Sequence, residues 1–136
     1  MLKSRLHHLG IADDDLCVLC GLDAETYEHL FKVCPYSHLL MGCLMAFLKM
    51  RRIEVDLHWV HWKPWAKVKK LVMNACIQAC WYATWQQRNK ARIECRVSRP
   101  QNVINEVVLV LRMRAAFWIS HSKKRSEVDW IKGLFV

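Results

Sequence analysis

The chain has 136 residues, 54% of them apolar and seven of them tryptophan, enough to bury a core and to exclude wholesale disorder. Its longest apolar run, "LLMGCLMAFL" (39–48), is about half of a bilayer span, and the opening "MLKSRLHHLGIADDD" lacks the apolar centre of a signal peptide. The net charge of +9 comes wholly from residues 51–136, which hold seventeen Lys/Arg against six Asp/Glu, whereas residues 1–50 hold four against six.

A basic half of this kind points to a polyanionic partner, because phosphate contacts release condensed counterions. A merely solvated cationic surface is the alternative. Seven cysteines, an odd number, with no secretory route read as thiols or metal ligands in an intracellular protein, not as a disulfide framework.

Along the chain, "KSRLHHLGI" reads as a helix end closed by Gly10, and an acidic turn, "ADDD", follows. The stretch "CVLCGLDAETYEHLFKVCP" (17–35) then concentrates cysteine and histidine. Pro35 can open a helix over the apolar "YSHLLMGCLMAFLKM". A break is expected around "RRIEVDLHWVHWKP" (51–64), where no helical period is sustained. From Pro64 to about Arg92, Trp65, Val68, Val72, Ala75, Ala79 and Tyr82 recur at helical steps. "Ser98-Arg99-Pro100" predicts a helix start with Ser98 as N-cap, and a helix over about 101–119 carrying Val103, Val107, Val110, Leu111 and Trp118. The run "VVLVL" inside it also has strand character. In the tail, "HSKKRSEVDWIKGLFV", a basic cluster precedes aromatics that pack back on the rest.

Cys17 and Cys20 are spaced as a short chelate loop, Gly21 permits the tight turn after them, and His29 with Cys34 can complete a tetrahedron. Three sulfurs and one imidazole favour Zn²⁺ over hard cations, and four protein ligands make a closed, structural site with no open position for a catalytic water. A redox pair and unligated cysteines are the competing readings. No βαβ pattern surrounds the CxxC, and the aspartates before it would raise a thiol pKa. Tyr27, Leu30, Phe31 and Val33 are expected to pack around the pinned turn. The fold class is therefore mainly α: a small zinc-pinned CCHC module with its following helix in 1–50, then a basic, Trp-rich region of two to three helices in 51–136.

At "DDDLCVLCGLDAETYEHLFKVCPYS" the sequence resembles the zinc-binding domain that follows the reverse transcriptase in plant non-LTR (LINE-type) retrotransposons. Glu25 and Thr26 match the family's "ET", and His29, Leu30, Phe31, Cys34, Pro35, Tyr36 and Ser37 continue the match. "ACWYATWQQRNKARIE" and "SRPQNVINEVVLVLRMR" look like the tail of these elements, where "W-x-x-RN-x-R" is common. The resemblance covers most of residues 5–115 and implies one zinc per chain on Cys17, Cys20, His29 and Cys34. It departs from the family in lacking an aromatic-rich segment at its start, as a truncated or domesticated copy would, and in carrying Met41 where members often have Trp.

No catalytic site is expected. The Asp13-Asp14-Asp15 triplet reads as a solvated turn, because two-metal chemistry needs carboxylates from several elements. His58-x2-His61 with Cys76-x3-Cys80 is a conceivable second metal site, but cysteines on an apolar helix face are ordinarily core; Cys43 and Cys95 are read as structural. Trp59, Trp62, Trp65, Trp81 and Trp85 interleave with lysines as a base-stacking platform would, yet helical spacing favours core for Trp65, Trp81 and Trp85. The candidate phosphate contacts are Lys67, Lys69, Lys70, Arg88, Lys90, Arg92, Lys123, Lys124 and Arg125. The expected function is non-catalytic binding of RNA or single-stranded nucleic acid with little sequence specificity, without membrane association. The alternatives are a protein-interaction module or homodimer, and a relic reading frame. Residence in nucleus or cytoplasm is expected, "KKR" (123–125) being a short basic import-like cluster.

Overall fold

A computed structural model describes residues 1–51 and 55–136, so part of the predicted 51–64 break lies outside the described residues. Among the described residues there are seven helical elements: α1 (Lys3–His8), a π-helical turn (His29–Val33), α2 (Pro35–Phe47), α3 (Leu57–Trp62), α4 (Lys67–Glu94), α5 (Pro100–His121) and α6 (Arg125–Phe135). The mainly α expectation holds, and the "VVLVL" run is helical. Among the described residues the β-structure is one isolated bridge between Leu16 and Ala24.

Local chemistry sets the boundaries. Gly10, at φ 72°, ends the α1 segment in the left-handed conformation that glycine adopts without penalty. Pro35 and Pro100 stand in the first turns of α2 and α5, where a missing N–H costs nothing. Within the expected break lies α3, whose N-cap Asp56 accepts the Trp59 N–H at 2.7 Å. Ser98 does not cap α5. The N-cap position falls on Arg99, while Ser98 instead ties α4 to α5. Its N–H donates to Gln87 Oε1 at 3.0 Å, its hydroxyl receives Lys90 Nζ at 3.1 Å, and its carbonyl receives the Tyr36 hydroxyl at 2.7 Å.

One apolar core joins α2, α3, α4, α5 and α6. Leu40, Leu44 and Met45 of α2 meet Met73 and Ile77 of α4 and Ile104 and Leu111 of α5, all at most 1% exposed. The helix assigned to 1–50 thus closes the core of 51–136, and the packing runs straight across that division. On α4 the buried stripe passes through Val72, Cys76, Cys80, Ala83, Gln87 and Ala91, and Tyr82 is exposed. Trp65, Val68, Ala75 and Ala79 are only partly buried against this core, so the stripe is rotated from the predicted line through Trp65, Val68, Val72, Ala75, Ala79 and Tyr82. The tail does pack back: Phe135 of α6 lies 5.8 Å from Phe47 and 5.4 Å from Trp118.

Candidate metal centre and basic cleft

A second, smaller apolar cluster of Cys17, Leu30 and Cys34, with Leu19, Cys20, Phe31, Tyr36 and Trp85 against it, surrounds the cysteine–histidine group. Two short elements build it. Residues 16–25 fold back on themselves, with Cys17 N–H donating to Asp23 O and Glu25 N–H to Asp15 O, both at 2.7 Å. Gly21, at φ 67°, closes the knuckle by donating to Cys17 O. Thr26 Oγ1 then accepts the His29 N–H at 3.1 Å and caps the turn that carries the imidazole.

The π turn explains the His-x4-Cys spacing. Five residues along an ordinary α-helix leave two side chains about 140° apart. The wider turn, closed by Cys34 N–H to His29 O at 2.7 Å, brings His29 and Cys34 to the same centre.

One ligand atom from each of Cys17, Cys20, His29 and Cys34 lies within 4.8 Å of every other. Cys17 Sγ and Cys34 Sγ are 3.9 Å apart, and Cys20 Sγ is 3.2 Å from His29 Nε2. Tetrahedral zinc with Zn–S bonds near 2.3 Å separates its sulfurs by about 3.8 Å, so the donor set fits the ion in type and in spacing. Bound there, zinc would supply a cross-link between the knuckle and the π turn.

The protein also readies the sulfurs. Cys34 stands at the N-cap of α2, and its thiol is lowered first by the hydrogen bond from Cys17 and further by the Ser37 and Tyr36 N–H groups, against the opposing effect of burial. Cys17 is raised by the same shared proton and by burial. Within the pair Cys34 is therefore the lowered thiol and Cys17 the raised one. By contrast, burial pushes Cys76 and Cys80 up to about 12, as suits core thiols, and His58 packs against Trp62. Among the described residues the four-residue group is the metal-competent cluster, and neither the second His/Cys pairing nor the aspartate triplet forms one. Asp14 instead pairs with Lys3 at 2.6 Å and accepts the Leu16 N–H.

Of the residues expected around the turn, Leu30 and Phe31 pack there, whereas Tyr27 and Val33 are exposed. A residue without an assigned role in the sequence anchors the module. Glu25 is fully buried, and its Oε1 pairs with Arg88 Nη2 at 2.6 Å and Nε at 3.0 Å. It also accepts the Lys3 and Val18 N–H groups. Burial raises its carboxyl, but Arg88 and the two amides outweigh this and hold it below the ordinary range. Arg88 is consequently no phosphate contact: it is 1% exposed, stacks over Trp85 and donates to Met1 O. Charge alone had put it on the surface, and a partner 63 residues upstream took it inside.

The other basic candidates divide. Lys67 and Lys70 of α4 meet Lys123 and Lys124 of the α5–α6 link around one cleft of about 610 Å³. Lys69 lies over the Trp65 and Trp130 rings at 4.6 and 5.2 Å, and Lys90 is held by Ser98. Arg92 and Arg125 are exposed at the last turn of α4 and the first of α6. Trp65, Trp81 and Trp85 are partly buried against the cores, and Trp62 is exposed. No helix of the described residues is long and apolar enough to cross a membrane.

Compared with protein-family models, curated proteins and solved structures, the chain matches none.

Proposed function

We propose that the chain is a non-catalytic, zinc-pinned helical protein, related to the zinc-binding domain of plant LINE-type reverse transcriptases, that binds RNA or single-stranded nucleic acid with little sequence specificity. The observation that carries the reading is the meeting of Lys67 and Lys70 with Lys123 and Lys124, two basic segments far apart in the chain, at one concave surface. Cations so gathered attract phosphates more strongly than the same charges spread over a surface. The two motif segments behind the family relation also engage each other. Glu25 and Thr26 of the "ET" respectively pair with Arg88 and cap the His29 turn, while Trp85 of the "W-x-x-RN" packs against the metal cluster.

The test is titration of the zinc-loaded protein with a labelled single-stranded RNA at several salt concentrations. Four phosphate contacts give a log–log salt slope of about −3 for a single strand. Absence of salt-sensitive binding at micromolar protein overturns the reading. A second reading, a protein-interaction module or homodimer, is favoured by the exposed Leu109, Val110, Met113 and Phe117 on α5. Association that survives high salt with a negative heat-capacity change belongs to that reading.

A further inference from the structure

We propose that the cleft between the N-terminal ends of α4 and α6 is a binding site for one nucleotide unit with an amino-bearing base. The proposal rests on the nucleic-acid reading for its biological setting and on the cleft's own chemistry for its ligand.

The cleft has three kinds of wall. Lys67, Lys70, Lys123 and Lys124 face it with a single carboxylate, Glu127, among them. Lys70 gives one proton to His61 O at 2.7 Å and keeps two. One helix end reinforces these cations. Residues Ala66 and Lys124 occupy the N-cap positions of α4 and α6, and neither helix has a side-chain acceptor on its first N–H groups among the described residues. The α4 end, with no acidic residue in its first turn, adjoins the lysines and favours phosphate, whereas Glu127 in the first turn of α6 offsets that end. Val68 and Leu71 add an apolar wall wide enough for a ring or a sugar face.

The third wall selects against a bare anion. Asn74 and Glu127 line the same cleft, and their Oδ1 and Oε2 atoms are closed off from water and without a hydrogen-bond partner among the described residues. Both are acceptors, so they call for donors: a hydrogen phosphate offers its O–H only at the anion itself, whereas a base amino group offers two N–H donors at a distance from the phosphate. A base amino group entering beside them takes up either oxygen after a side-chain rotation. The ligand that answers all three walls has a phosphate, a flat apolar body and N–H donors at the far end. Glu127 fixes its direction, repelling phosphate and attracting the amino edge. The source can be a free nucleotide or a nucleotide within a strand.

The test uses the zinc-loaded full chain, isotope-labelled, titrated separately with inorganic phosphate, cytidine monophosphate, uridine monophosphate and a twelve-residue cytidine oligoribonucleotide. Cytidine carries an amino group where uridine carries a carbonyl. Expected are shifts of the Asn74 side-chain amide with cytidine monophosphate and an affinity about fivefold or more above that for uridine monophosphate. Both are lost when Leu71→Trp fills the cleft, or, should that variant lose helical signal, in Lys67→Ala/Lys124→Ala, whose positions are exposed. Equal reduction of oligonucleotide binding in the variant supports the site as part of a strand-binding surface. Mononucleotide binding without oligonucleotide binding supports a free-nucleotide site and removes the strand-binding function. Strand binding untouched by Leu71→Trp, with a silent Asn74 amide, overturns the cleft while leaving the wider function intact. Phosphate alone reproducing every shift overturns the nucleotide in favour of an adventitious ion only.

Discussion

Glu25 and Arg88, 63 residues apart, form an ion pair with both side chains at most 1% exposed, and through it the metal-binding module is locked to the C-terminal third of α4. The arrangement is fully hydrogen-bonded: two guanidinium nitrogens and two backbone amides converge on one carboxylate. Breaking such a pair strands a buried charge. Arg88→Ala and Glu25→Ala are therefore each expected to cost about 3–5 kcal/mol in urea unfolding. The double substitution Glu25→Leu/Arg88→Met recovers only part of that loss, because the Lys3 and Val18 amides still lose their acceptor. Additive losses in the double variant would show that the two side chains do not act as a pair.

The same carboxylate gives the fold an acid-sensitive element. Because the folded state holds Glu25 below its ordinary range, its ionised form contributes stability that is complete above the unfolded value of about 4.3 and falls away as pH drops towards the folded one. Urea midpoints of the native chain and of Glu25→Gln, compared from pH 7 to pH 3, are expected to differ by a constant gap down to about pH 4.3 and to converge below it. Protonation of the metal ligands affects both proteins alike and drops out of the difference. A gap that widens on acidification would mean that the carboxyl is raised by burial and not lowered by Arg88.

Spacing made the ligand set legible: CxxC followed by glycine fixes a knuckle, and the structure adds the π turn that brings a histidine and a cysteine five residues apart to one centre. Helix starts at prolines were legible for the same reason, since ring closure acts locally. The role of Arg88 was not, because a cation's burial depends on a partner brought in by tertiary folding. The face of α4 was misjudged by about one position, since the expected line through Ala75, Ala79 and Tyr82 runs beside the buried one through Cys76, Cys80 and Ala83, and small residues on both lines leave the helical period ambiguous. Nor could Lys67 and Lys123 be joined from sequence, since their meeting depends on how α5 and α6 return along α4.

Cys95 ends α4 in the left-handed conformation, with φ 53° and ψ 31°, and is exposed. A side chain there meets its own carbonyl, a cost of roughly 1–2 kcal/mol that glycine avoids. Glycine's extra freedom in the unfolded chain offsets part of the gain. Cys95→Gly is expected to raise stability by about 0.5–1 kcal/mol, read as a higher urea midpoint at unchanged slope. A lower midpoint would mean that the thiol makes contacts outweighing the backbone penalty.

Metal removal should divide the molecule along its two apolar clusters. The larger core of α2 to α6 contains none of the four ligands, whereas the smaller cluster is made of Cys17, Leu30 and Cys34 themselves. Structural zinc contributes on the order of 10 kcal/mol to the fold of small modules that depend on it. Chelation is thus expected to abolish amide-exchange protection over residues 17–33 while protection at Ile77, Ile104 and Leu111 persists, with only a modest loss of helical signal. His29→Ala should reproduce this and lower bound zinc from one per chain to well below one. If chelation instead releases protection throughout α4 and α5, the Glu25–Arg88 lock works in the opposite direction, and the helical core depends on the zinc module for its stability.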